Sequence, residues 1–283
     1  MSRILNRRLS RLSTAIATAL LSLCASGSAT AITFDVIGPG EYDLPVDFKP
    51  FNVFVQYATV QDNEKVRDAN GKKVDGDGSQ QIVGLSKYVR FWSPDWNRKI
   101  GLAYEIIVPE IGVRNEAGGS YVGGLGDPLT GFAAWYRPTD SSTFGIQSFL
   151  VEPVGNESVA DTNWKNLTSL LWNWKGGKFQ VTGNGGLVWQ GERTNGVKPA
   201  VNWHTNNRFG YRISKYLEPF LGLDYEYAAA KNGAPKSWAF DAGAGVVLHT
   251  FENQSIALRY STTVDGASHS QNDSFNLKYV YVW

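Results

Sequence analysis

The C-terminal stretch Asp273–Trp283, DSFNLKYVYVW, decides the fold. Phe275, Leu277, Tyr279, Tyr281 and Trp283 stand at every second position, with Ser274, Asn276 and Lys278 between them until Val280 and Val282. Side chains alternate across a strand, so this pattern predicts one with a greasy face. In a soluble domain that face needs a core to cover it. In a bacterial outer membrane it faces lipid, and the closing aromatic suits the interface. In the membrane reading, Phe275, Leu277, Tyr279, Tyr281 and Trp283 form a C-terminal assembly signal for the barrel-assembly machinery.

The other end of the chain predicts the compartment. Arg3, Arg7, Arg8 and Arg11 precede the apolar run Ala15–Leu23, and Ala29-Thr30-Ala31 offers a small-residue cleavage site. Residues 1–31 therefore read as a secretory signal peptide for the Sec pathway, with the mature chain starting at Ile32. Leu23 before Cys24 disfavours a lipoprotein. The removed segment holds four arginines and no acid, which turns 27 basic against 26 acidic residues into 23 against 26. That balance gives no electrostatic reason to expect nucleic acid as a partner.

The only cysteine leaves with the signal, so the mature protein has no disulfide to staple it. No later stretch holds the roughly eighteen apolar residues that a membrane helix needs. If the chain spans a membrane, it does so as strands. Thirty glycines, abundant aromatics and a mean hydropathy of −0.26 fit alternating strands.

Period-two segments between turn signals give twelve candidate strands. In Leu217–Tyr227, Leu217, Pro219, Leu221, Leu223, Tyr225 and Tyr227 share one face, and Glu218, Phe220, Gly222, Asp224 and Glu226 the other. In 200–213, Val201, Trp203, Phe209, Tyr211 and Ile213 oppose Asn202, His204, Asn206, Arg208, Gly210 and Arg212. Connections alternate in length. Longer ones are expected at 61–80, 111–125, 154–163, 190–198, 228–235 and 264–272. Tight ones are expected at 93–98, 137–142, 175–177, 214–215 and 249–253. This is the outer-membrane barrel pattern, with short turns and both termini in the periplasm.

A soluble β-sandwich shares the alternation, but two features oppose it. Trp172, Trp174, Trp189, Trp203, Tyr225, Tyr227 and Trp238 cluster near strand ends on the apolar faces, as an interfacial girdle requires. The opposite faces carry Arg208, Arg212, Glu218, Asp224, Glu226, Asp241, Arg259 and Lys278, which a dry core could hold only as pairs. A wet lumen removes most of that cost.

At this point the chain resembles a family. Pro39-Gly-Glu-Tyr-Asp-Leu-Pro45, the strand 51–58, Leu85–Trp92 and above all Gly124-Leu-Gly-Asp-Pro-Leu-Thr-Gly131 resemble the outer-membrane proteins grouped as meta-pathway phenol-degradation transporters. The likeness covers most of the mature chain. Pro128 is inserted where the family usually runs straight from Asp to an apolar residue. The resemblance implies a channel for small, often aromatic or otherwise hydrophobic compounds.

Candidate lumen and selectivity residues are Arg90, Glu105, His204, Arg208, Arg212, Glu218, Asp224, Glu226, Asp241, Arg259 and Lys278. Opposite charges facing each other across a lumen could orient a polar solute, whereas a lattice of paired charges would hold the wall together. Residues 32–49, rich in Pro and Gly with Ile32, Phe34, Val36, Ile37, Leu44, Val46 and Phe48 among acids, read as an irregular segment able to fold into the lumen as a plug. Residues 50–283 are then the barrel.

Asp68, Asn70, Asp75 and Asp77 look superficially like calcium ligands, but the twelfth position from Asp75 is Ser86, not Glu. A self-solvating loop is the simpler account. His204, His249 and His269 fit no metal or nucleophile motif. An outer-membrane phospholipase would carry a His-x-Ser pair facing lipid; here Thr205 and Asn206 follow His204, whose phase is luminal. The expectation is thus an all-β, antiparallel transmembrane barrel of about 12 strands, without enzymatic activity, cofactor or metal. It acts as a passive outer-membrane channel for small solutes, with lipid and the solute as partners. A structural or adhesive barrel with partner-binding loops is the alternative, and a lipid hydrolase a weaker one.

Overall fold

Alternation of apolar and polar residues makes strands here because each segment has lipid on one side and a partly polar interior on the other. A computed structural model describes residues 37–115, 120–161, 163–193 and 196–283. The expected signal peptide and residues 32–36 lie outside the described residues. The strands are β1 (Phe51–Arg67), β2 (Lys73–Trp92), β3 (Ile100–Asn115), β4 (Ser120–Leu125), β5 (Leu129–Thr139), β6 (Ser142–Val151) and β7 (Lys165–Gly176). They continue as β8 (Phe179–Gln190), β9 (Asn202–Tyr211), β10 (Leu217–Ala228), β11 (Ser237–Phe251), β12 (Gln254–Ala267), β13 (His269–Ser270) and β14 (Asp273–Val282).

Twelve of them close a ring in which all neighbours run antiparallel. β1 pairs with β2 along its length and with β14 from Val53↔Val282 to Asp62↔Asp273. The last strand thereby closes on the first, and no edge is left around the ring. β4 pairs only with β3, and β13 caps the far end of β1. With an even count, β1 begins and β14 ends at the same rim, the one that carries the tight turns.

Two expected long loops are strand instead. β1 and β2 run on to Arg67 and Lys73, pairing Asn63↔Ser79 and Lys65↔Asp75 across a bulge, and β3 and β4 fill most of 111–125. Above the membrane both faces of a sheet are wet, so the greasy alternation stops while backbone pairing continues. Asp68 turns the chain locally, its carboxylate accepting from the N–H groups of Asn70 (2.8 Å) and Lys72 (2.9 Å).

The outer face is apolar between two aromatic belts. Phe132 and Leu170, each 62% exposed, lie in the band. Phe179 and Tyr211, with ring centroids 4.7 Å apart, and stacked Tyr281 and Trp283 mark the turn-side belt. Trp203, Tyr227 and Trp238 stand in register on β9, β10 and β11 at the other. The wall is interrupted at Gly126-Asp127-Pro128, between β4 and β5. There Gly126 N–H bonds Pro109 O, and residues 152–156 close the far side, with Asn156 N–H donating to Leu125 O (2.8 Å) and Gly155 N–H to the Asp127 carboxylate (3.0 Å). A Cβ on Gly155 would come within 2.7 Å of Asp127 N, so only glycine lets this segment lie against the break.

Candidate functional site

The interior divides into an apolar half and a charged half, with residues 37–50 lying between them. Three prolines and two glycines deny this segment a regular strand, and it follows the shape of the lumen through its side chains. Ile37, Tyr42, Leu44, Val46 and Phe48 pack on Val53, Val55, Tyr57, Val89, Ala103, Ala133, Trp135 and Leu171 of the wall. Phe48 stacks on Trp135, with centroids 6.4 Å apart.

Polar groups fix the segment in register. The Trp135 indole N–H donates to Pro45 O (2.8 Å), Asn184 donates to the Tyr42 hydroxyl (2.9 Å), and Gly40 N–H donates to Thr182 Oγ1 (2.9 Å). Asp43 is clamped by Lys175 (2.7 Å) and Arg137 (3.1 Å), and Glu41 is ion-paired with Lys278. Arg208 Nε reaches the Ile37 carbonyl at 2.8 Å.

The charged half is a set of pairs between strands one or two places apart in the ring. Asp224, wholly buried, takes Arg208 Nη1 on one oxygen (2.7 Å) and Arg259 Nη2 on the other (2.5 Å). Glu218 takes Arg212 (2.9 Å), His249 (3.1 Å) and Gln180. Glu105 pairs with Lys87 at 2.5 Å, and Glu226 accepts from Asn202 at 3.2 Å. Asp241 accepts from Asn272 at 2.6 Å. The pairs join strand to strand or strand to segment and do not face each other across an open pore.

Arg90 is a correction. It points outward with Asn52 (2.9 Å), because Val89 takes the inward phase on β2 and is 2% exposed. It belongs to the outer rim near the turns, not to the lumen.

Beyond residues 37–50, toward the long connections, the apolar half forms a second buried cluster, the cup. Ile107, Leu129, Phe149, Val151, Leu167 and Val188 point inward there, with Leu85 against them. Sequence reading missed these residues because it assigned apolar phases to lipid. The signal was present in β6, where Phe144, Ile146 and Leu150 are exposed while Phe149 and Val151 are buried, so both phases are apolar.

At the margin of the cup Ser169 Oγ lies 3.1 Å from His204 Nε2, and the Asn206 amide lies 3.2 Å from Nδ1. Gly186 sits between them in register; a Cβ there would fall 2.7 Å from Ser169 Oγ, so its absence lets the two side chains meet. The order Ser, His, Asn is that of a nucleophile, base and orienting group. Here all three are at least 96% buried and face the interior. The row is part of the wall.

Below the segment a recess of about 700 Å³ opens among Arg212, Tyr216, His249, Phe251, Val280 and Val282. Among the described residues no cluster of three or more His, Cys, Asp or Glu side chains is arranged to hold a metal.

Residues 64–279 match the model of the family described as the MetA-pathway of phenol degradation. No curated protein matches the sequence. Among solved structures, an outer membrane channel from Pseudomonas putida F1 superposes with a TM-score of 0.74 at 16% identity, covering 87% of this chain and 100% of that one. The β domain of the Bordetella autotransporter BrkA superposes with a TM-score of 0.52 at 15% identity, covering 83% and 100%. These likenesses are of fold: a closed twelve-stranded antiparallel barrel of the outer-membrane kind.

Proposed function

Because the chain belongs to the MetA-pathway of phenol degradation family, we propose that it is a passive outer-membrane channel for small hydrophobic or aromatic solutes. The observation that carries this reading is the apolar cup of Ile107, Leu129, Phe149, Val151, Leu167 and Val188. A water-filled pore has no use for six inward apolar side chains near its extracellular mouth. An aromatic solute does, since moving its surface out of water gains about 25 cal/mol per Å². The fold shared with the Pseudomonas putida F1 channel supports the same reading.

Residues 37–50 serve as a plug that keeps water and ions from running through while a solute occupies the cup. The paired charges of Arg208, Asp224, Arg259, Glu218 and Arg212 brace the wall and hold the plug, and selectivity rests on the apolar half. Export through the Sec pathway by residues 1–31, and recognition of the last strand by the barrel-assembly machinery through Phe275, Leu277, Tyr279, Tyr281 and Trp283, complete the reading.

The test is uptake of a labelled monoaromatic compound into vesicles that hold the refolded protein, compared with Phe149→Asn and Leu167→Asn. Uptake should fall about tenfold with either substitution while the barrel remains folded. Equal uptake by all three proteins would remove the cup from the pathway. Uptake of a small sugar as fast as of the aromatic would sink the apolar reading itself.

A further inference from the structure

The extracellular half of the charged wall holds a carboxylate that no cation among the described residues reaches. Asp241 on β11 is 0% exposed. Its Oδ2 accepts from Asn272 Nδ2 at 2.6 Å, the Thr263 hydroxyl lies against the carboxylate, and Oδ1 has no hydrogen-bond partner of ordinary geometry. Among the described residues no lysine, arginine or histidine stands within ion-pair distance of it. The nearby arginines, Arg208 and Arg259, are both committed to Asp224. His269, the remaining titratable neighbour, turns its Nδ1 to Ser270 O at 2.8 Å.

A second orphan lies beside the first. Asn272 is 1% exposed, its amide touches Asp241, and its Oδ1 also has no partner. Hydroxyl oxygens stand around the pair, and the nearby amide nitrogens of Asn272 and Gln271 are already bonded. Thr263 Oγ1 accepts from Asn272 N–H at 2.8 Å, and Ser261 Oγ and Ser274 Oγ lie 2.9 Å apart next to the same amide. A water molecule could donate to an amide oxygen, but it would leave the carboxylate charge uncompensated in a buried site.

We propose that Asp241 and Asn272 hold a small, hard, singly charged cation of sodium type, with Asp241 Oδ1 and Asn272 Oδ1 as its side-chain ligands. Oxygen ligands without nitrogen or sulfur select a hard cation. A single carboxylate favours one charge over two, since calcium sites gather several acids and a larger set of oxygens. The cation would tie β11 to the start of β14, two strands away across β12, at the far end of the seam where the barrel closes.

The experiment is thermal unfolding of the refolded full mature chain in detergent, followed by the loss of its compact gel mobility. Sodium chloride is compared with choline chloride at equal ionic strength, and with choline chloride plus millimolar calcium. Binding to the folded state alone raises the midpoint in sodium by roughly 2–4 °C. Asp241→Asn should show the same midpoint in all three media. Should that variant fail to fold, Asn272→Asp supplies the test: a second carboxylate should transfer the response from sodium to calcium. A wild-type midpoint indifferent to the cation would overturn the proposal, leaving a proton or water at the site. A wild-type response to calcium alone would overturn the single charge.

Discussion

Lys278, on the last strand, is ion-paired with Glu41, which lies 237 positions earlier in the irregular segment before β1. Its ammonium also stands 5.2 Å from the Tyr57 ring centroid on the first strand. One side chain thus joins residues 37–50 to both strands of the closing seam. Lys278 and Glu41 are 12% and 16% exposed, so neither charge is well served by water once the other is gone.

The pair predicts an asymmetric cycle. Lys278→Met alone or Glu41→Gln alone should cost about 2–4 kcal/mol, because each leaves a mostly buried charge unpaired. The double variant should recover more than half of that loss. Urea unfolding of the four proteins in lipid vesicles measures the coupling. Additive losses would mean that the two charges act independently.

Leu170 and Leu171, neighbours on β7, test the two faces of the wall. Leu170 is 62% exposed in the outer band and Leu171 is 2% exposed against the segment. Leu170→Arg should cost about 2–4 kcal/mol in a bilayer and little in a detergent that lets the arginine reach water. Leu171→Ala, which leaves a cavity, should cost about 2–5 kcal/mol in both. Equal penalties for Leu170→Arg in the two media would contradict a lipid-facing outer surface.

The faces of β9, β10 and β14 were legible because lipid enforces a strict period of two on the outside. Trp203, Tyr225 and Phe275 could be placed from the sequence, and so could Arg208, Asp224 and Lys278 on the inside. The upper reaches of β1 to β4 were not legible, since Asp62, Asn63, Glu64 and Lys65 have water on both sides and read as loop. Arg90 was misplaced because, near the rim, an outward arginine can reach Asn52 and head groups at little cost. The cup was hidden by the rule that makes barrels readable, since an apolar lumen breaks the alternation in β6. The motif Gly124–Gly131 stood out in the sequence, and the structure gives it a place: it forms the wall break and the close passage of Gly155.

Asp161, in the connection after β6 and outside the spanning strands, gives a pH dependence. Burial alone would raise its carboxyl, but Lys165 and Arg193 outweigh that and hold it below its ordinary 3.8. A depressed carboxyl contributes stability above its unfolded value and loses it as pH falls through the folded one. Cleavage of residues 152–164 by an acid-tolerant protease should therefore accelerate below about pH 4. Asp161→Asn should raise cleavage at neutral pH and flatten the acid response. The carboxylate is 39% exposed, so the effect is local and small. A variant with the wild-type acid profile would assign the response to another group.

Asp224→Asn should be the most damaging conservative change in the barrel. It leaves Arg208, 0% exposed, and Arg259, 4% exposed, facing a neutral amide, and breaking a buried pair this way costs about 3–5 kcal/mol. Arg208 also holds the Ile37 carbonyl, so its displacement should free the start of residues 37–50. Two readouts separate these effects. Lower urea resistance reports the charges, and new proteolytic cleavage near residues 37–40 of the still-closed barrel reports the segment. Loss of resistance without that cleavage would show that Tyr42, Asp43 and Trp135 hold the segment without help from Arg208.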